Sequence, residues 1–293
     1  MQRHGSGVVR AVPLLPALAL LAIFLAGPII WALYSSFTNV ALTGRFALDP
    51  RFVGLANYKR LLSDPVFPKS VWLTVLFVGL SAVVGQNLLG IALAAMMRNV
   101  DKVTRAIVGT IVVAAWILPE IVAAFCLYAF FSDGGTLQSV FGRIGIHLPN
   151  MLYDHPMTSV ILANVWRGTA FSMMVYAAAL ADVPPELTEA AEVDGASWWQ
   201  RTWNVVLPTI NRSIATNLML TTLQTLSVFT LIWVMTAGGP GTNSSTLPIL
   251  AYQVAFKSAK VGYGTAIATV MLLIGAIFSI VYIRMLRTGE AKQ

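Results

Sequence analysis

The side chains able to do chemistry here are few and fall into three groups. Four acids, Glu186, Glu189, Glu192 and Asp194, crowd a stretch between two long apolar runs, interleaved with Ala190, Ala191 and Gly195. Two opposite charges, Glu120 and Arg167, lie inside apolar runs of their own. The third group is uncharged. It holds the adjacent amides Gln86 and Asn87, then Asn217, Thr221, Gln224 and Ser227 at roughly helical spacing, with Trp116, Tyr128 and Trp166 as aromatic faces. Nucleotide or hydrolytic chemistry would need a Gly-x-x-x-x-Gly-Lys-Ser/Thr loop, a His-Glu-x-x-His pair or a Gly-x-Ser-x-Gly elbow, and none occurs. His4, His147 and His155 lack metal spacing, and the single Cys126 sits in an apolar run where it packs as a small hydrophobe.

An ionisable group within a membrane span is costly and marks a pathway or a partner. Glu120 and Arg167 are expected near mid-depth, close enough to pair directly or through water. The competing reading is that each reaches an interface or packs on another subunit. Amides, hydroxyls and aromatic faces suit a neutral polyhydroxyl solute. The same groups also join helices by hydrogen bonds, and the sequence leaves both roles open for Gln86, Asn87, Asn217 and Thr221.

The elements that must position these residues are set by composition. Of the 293 residues, 57% are hydrophobic and only 11% are charged, against about 25% charged in soluble domains. Mean hydropathy is +0.75. Too little charge is present to coat a soluble surface. The net charge of +7 lies mostly in short loops beside apolar runs, which points to anionic lipid headgroups. No basic run with interleaved aromatics suggests nucleic acid.

Six all-α spans are predicted over 12–34, 71–97, 106–131, 158–181, 207–236 and 262–286, each long enough for the ~20 residues a bilayer needs. They form a single transmembrane domain over 1–293. Arg3 and Arg10 precede a first run too long for a signal core, so it is read as a retained span. Trp31, Tyr34, Trp72, Trp198, Trp199 and Trp203 mark interfaces. The short loop holding Arg98, Lys102 and Arg105 favours both termini cytoplasmic, against a basic first outer loop. Residues 52–62 read as an amphipathic surface helix, 238–242 as a turn, and 247–256 as a second short helix. Gly79, Gly85 and Gly90 are expected to let helices approach closely.

The acidic stretch begins a helix at Asp182 or Pro184, with proline preset for the first turn and the carboxylates near the positive end of the helix dipole. Ala190, Ala191, Gly195 and Ala196 keep its surface low, Asp194-Gly195 ends it, and Pro208 opens the next span. On these residues alone two readings stand: a well-capped connector, or a handle for a soluble partner.

Glu189-Ala190-Ala191, then Gly195, then Val206-Leu207-Pro208 at the expected spacing resembles the EAA motif of bacterial ABC importer permeases. Phe52-Val53-Gly54-Leu55-Ala56-Asn57-Tyr58, Asn164-Val165-Trp166-Arg167-Gly168 with Phe171, and Thr236-Ala237-Gly238-Gly239-Pro240 leading to Gly262-Tyr263-Gly264 resemble signatures of the carbohydrate-uptake, maltose-transporter-type branch. The resemblance covers most of the chain. It implies a type I ABC importer permease fold in a bacterial inner membrane, pairing with a second homologous permease and two ATPase subunits. ATP and Mg would be held by the ATPases, so no cofactor and no enzyme activity is expected of this chain. An extracytoplasmic sugar-binding protein would deliver the solute.

Within the loop 182–206 the resemblance assigns ATPase coupling to Glu186, Glu189, Ala190, Ala191, Asp194 and Gly195, with Leu207 and Pro208 following. The path candidates are Gln86, Asn87, Trp116, Glu120, Trp166, Arg167, Asn217, Thr221, Gln224 and Ser227. A permease for a polyol, glycerol phosphate or amino acid would share everything except the path lining. An autonomous membrane enzyme or proton-coupled transporter would need a catalytic set or several buried carboxylates, and explains the acidic loop poorly.

Overall fold

The computed structural model describes residues 14–98 and 100–290. Arg3, His4, Arg10, Lys292 and the first two residues of the first expected span lie outside the described residues. Among the described residues the chain is helical, with no strand beyond one isolated bridge between Thr38 and Phe52. Ten helices carry the argument: α1 (Pro16–Ser36), α2 (Ala56–Ser63), α3 (Val66–Arg98), α4 (Lys102–Ile117), α5 (Glu120–Phe131), α6 (Pro156–Ala181), α7 (Pro185–Val193), α8 (Asn211–Leu226), α9 (Thr230–Thr236) and α10 (Val261–Glu290).

Among the described residues four helical runs are long and apolar enough to cross a bilayer, and a fifth if α8 and α9, bent by 49° at their junction, count as one. The helix α6, at 26 residues, is long enough, but Asn164, Arg167 and its hydroxyls lower its apolarity. Two expected spans are corrected. The stretch 106–131 is broken at Leu118-Pro119, because proline has no N–H for the helix ladder and disfavours a helical conformation in the residue before it. The stretch 207–236 is broken at 227–229, where the Ser227 hydroxyl and amide both bond the Gln224 carbonyl and close α8. Pro208 does not open a span. Helix already runs from Trp198, and a π-helical turn at Thr202–Val206 immediately precedes the proline. The same device, Ala22–Ala26 ahead of Pro28, lies within α1. The wider turn makes room for the proline ring and the carbonyl it leaves unbonded.

The chain divides into two compact units, 1–65 with 250–272 and 66–249 with 273–293. In the first unit, α1 leaves Leu18, Phe24, Ile30 and Trp31 exposed. The carbonyls of Ser36 and Thr38, at the end of α1, receive the Asn57 amide at 2.8 and 2.7 Å, while Tyr58 bonds Ser36 at 2.7 Å. This explains Asn57-Tyr58: they satisfy groups a helix end leaves open. Gly262 lies so close to Thr38 that a β-carbon there would come within 2.1 Å of the Thr38 carbonyl oxygen. Arg60 lies over the Tyr263 ring at 4.7 Å, and Tyr263 donates to Asp64 at 2.9 Å.

In the second unit two apolar clusters form. One joins Phe77, Val160, Leu231, Ile232 and Ile249. The other joins Ala94, Met173, Tyr176, Leu180, Val183 and Ile210. The helices α3 and α6 pack closely, since a β-carbon on Gly90 would stand 2.4 Å from the Ser172 side chain and one on Gly85 2.4 Å from Val165. Gly79 meets nothing within 4 Å, so the close approach expected of it is absent. Asp101 caps α4 by accepting from the amides of Val103 and Thr104. Hydrogen bonding, first from the Thr104 side chain, holds its carboxyl below the usual range.

Candidate functional site

The acidic loop is built from its ends inward. Val183 and Ile210 are buried in the second apolar cluster and tie both ends of the loop to α6 and α3. Pro184 caps α7, Pro185 takes its first turn and Glu186 lies there beside it. At the other end, Gly195 donates to Glu192 at 3.0 Å and Ala196 to Ala191 at 2.9 Å, a Schellman closure with Gly195 at φ +79°. A β-carbon at Gly195 would meet nothing within 4 Å. Glycine is needed for its left-handed backbone, not for space.

Ser197 and Gln200 form a reciprocal capping box that starts the next helical turn. Arg201 bonds Glu192 at 2.6 Å across the loop. Trp199 lies edge-on to Trp198 and stacked with Trp203, all three exposed.

Among the described residues nothing covers the rest of α7. Glu186, Glu189, Ala190, Asp194 and Gly195 are exposed and Ala191 is half-buried, while Val193 is 88% exposed. Of the coupling candidates, Leu207 packs against the second apolar cluster and Pro208 is exposed. The arrangement offers a rigid low ridge with carboxylates on it.

The path candidates separate into two sets. Gln86, Asn87, Asn217 and Thr221 are buried and form a polar layer between helices. Tyr176 donates its hydroxyl to Asn87 Oδ1. Asn217 Nδ2 donates to the same oxygen at 2.8 Å and to Ser172 Oγ at 3.0 Å. Asn87 Nδ2 donates to the Ala82 carbonyl at 2.6 Å and to Thr221 at 3.4 Å. Gln86 donates to the Asn164 carbonyl at 3.0 Å, and Asn164 to Ser81 at 2.8 Å. These four therefore sit at a joint, not at an open surface, in this conformation. Asn217 Oδ1 is buried without a partner.

The direct ion pair between Glu120 and Arg167 allowed by the sequence is absent, and that part of the reading is corrected. No ion pair joins them among the described residues. Glu120 instead accepts from the Leu231 amide at 3.2 Å. Leu231 lies in the first turn of α9, whose own preceding residue supplies no side-chain cap, so a carboxylate from α5 completes it. Arg167 is half-buried with its Nε buried and unbonded. Trp116, Trp166, Gln224 and Ser227 are exposed. Trp116 meets Phe171 at a ring separation of 5.9 Å.

Sequence reasoning passed over Tyr176 and Ser172, and used Asn164 and Gly168 only as signature residues. Asn164, Gly168, Ser172 and Tyr176 recur at i, i+4 on α6, the spacing of one helix face. A β-carbon on Gly168 would overlap the Gln86 side chain at 2.3 Å. That stripe was the available signal.

Apolar helices long enough to cross a bilayer, with an exposed acidic helix between α6 and α8, define a polytopic membrane protein. The chain belongs to the family of binding-protein-dependent transport system inner membrane components, whose profile matches residues 86–287. It is 30% identical over 293 residues to the sulfoquinovosyl glycerol transport system permease protein SmoG of Agrobacterium fabrum, covering 98% of this chain and 92% of that one. It is likewise 30% identical over 285 residues to the multiple sugar-binding transport system permease protein MsmF of Streptococcus mutans, covering 94% of each. A chain from a crystal structure of a bacterial ABC transporter involved in import of the acidic polysaccharide alginate superposes with a TM-score of 0.81 at 25% identity, over 96% of this chain and 95% of that one.

Proposed function

We propose that this chain is the permease subunit of an ATP-driven importer that receives a sugar from an extracytoplasmic binding protein. It forms the path with a second permease and is driven by two ATPase subunits that hold ATP and Mg. The observation that carries this reading is the exposed α7 ridge, closed by Gly195 and presenting Glu189, Ala190 and Ala191 to an outside partner. The kinship to permeases named for sugar substrates supports the solute class. In this reading the chain crosses the membrane six times, with α4–α5 and α8–α9 as broken spans, α6 as a polar one and both termini in the cytoplasm.

The exposed set Trp116, Trp166, Gln224 and Ser227, with Arg167, faces the solute. A permease for a polyol or other small solute would share the ridge and differ in these residues.

Purification tests the assembly. The chain should be recovered with a second permease and an ATPase, and vesicles bearing the assembly should take up labelled sugar only with ATP and binding protein. Sugar uptake by the lone chain without ATP would end this reading.

A further inference from the structure

A cleft of about 650 Å³ opens beside the acidic loop, within the usual range of about 300–1,000 Å³ for small-molecule sites. Its walls are apolar side chains of α3, Ile91, Ala95 and Met96, facing Val206 and Leu207 beyond the loop. Its rim carries Arg98, Arg201 and Trp198. The charges do not balance. Arg201 has Glu192 at 2.6 Å, whereas Arg98, exposed on the last turn of α3, has no ion pair among the described residues. One positive charge is left at the mouth of a greasy slot.

We propose that this cleft binds an anionic phospholipid, its phosphate on Arg98 and Arg201 and an acyl chain along the α3 wall. Two features favour a lipid over a soluble ligand. The walls are mainly aliphatic, with Thr188 and Thr202 as their only hydroxyls, which suits an acyl chain better than a strongly polar solute. The exposed trio Trp198, Trp199 and Trp203 sets this edge at the headgroup level, where indoles concentrate and anionic lipids attract arginine. The consequence concerns the loop. Glu192 lies on the last turn of α7, so lipid phosphate and α7 share Arg201. Lipid composition is thereby linked to the position of the ridge.

The test needs neither sugar nor ATPase, so its failure would leave the transport reading standing. The full chain is reconstituted in bilayers of equal phosphatidylglycerol and phosphatidylethanolamine, extracted gently and weighed by native mass spectrometry. Wild type should retain phosphatidylglycerol in preference. Arg98→Gln should lower that retention about fivefold, the effect of one arginine near an anionic surface. Ala92→Trp, which fills the cleft and keeps both arginines, should lower it as well. Arg143→Gln, at the end of the separate helix Thr136–Arg143, should leave it unchanged.

Equal retention of the two lipids, an unchanged Arg98→Gln, or an equal loss in Arg143→Gln would overturn the proposal. Displacement of the bound lipid by inorganic phosphate would assign the arginines to a free anion and overturn it too.

Discussion

At the residue scale, Asn87 is the pivot of the polar layer. One carbonyl oxygen takes two donors and one amino group serves two acceptors, so four groups depend on a single side chain. Leucine at this position would take the acceptor from the Tyr176 hydroxyl, while the Asn217 amide would keep Ser172. A buried group so orphaned costs about 1–3 kcal/mol. Asn87→Leu should lower the melting temperature of the purified chain well below that of Tyr176→Phe, which removes a single donor. Equal melting of the two would contradict the network. Glu120 gives a sharper contrast. Glu120→Gln keeps an acceptor for Leu231 and loses only charge against the helix dipole, about 0.3–1 kcal/mol. Glu120→Leu leaves that amide open at about 1–3 kcal/mol. Because Glu120 and Arg167 form no direct ion pair, the stability losses of Glu120→Leu and Arg167→Leu should add to within about 0.5 kcal/mol in the double variant. A larger coupling energy would restore the discarded ion pair.

At the element scale, α7 is a short helix whose ends are settled by backbone chemistry and whose outer face is settled by nothing in the chain. Its closing residue is the sensitive point. Alanine at Gly195 must adopt φ +79°, at about 1–2 kcal/mol; asparagine tolerates that region better. ATP-dependent uptake should therefore fall in the order wild type, Gly195→Asn, Gly195→Ala, with Gly195→Trp inactive and all four equally abundant in the membrane. Glu189→Lys should remove uptake and ATPase recovery while leaving insertion intact. Normal uptake in both Glu189→Lys and Gly195→Trp would refute docking through this ridge. The Arg201–Glu192 pair is mostly exposed on the glutamate side, at 68%, so Glu192→Gln should change stability by no more than about 1 kcal/mol.

At the scale of the whole molecule, the sequence holds no phosphate loop, and the proposed function places ATP on a separate subunit. Deleting the ATPase partner should abolish uptake completely while this permease still reaches the membrane; residual uptake above vesicles lacking the chain would point to another driving force. The helix α1 has none of its apolar window buried and most of α7 is exposed, as the proposed assembly in a membrane requires.

The helical membrane class, the acidic loop and the cap and closure of α7 were legible from residue order, because each rests on local chemistry: apolar length, proline at a first turn, glycine at a left-handed end. The short helices at 56–63 and 247–252 were legible for the same reason. The breaks at Pro119 and Ser227 were partly written in proline and hydroxyl chemistry, yet the apolar runs concealed them. Only the tertiary structure paired Glu120 with the open amide of Leu231, 111 positions away, and sent Gln86, Asn87, Asn217 and Thr221 inward. A polar side chain in a span has the same composition whether it faces a pore or a neighbouring helix. Which face it takes depends on how α3, α6 and α8 are rotated against one another, and that rotation is a property of packing among distant segments.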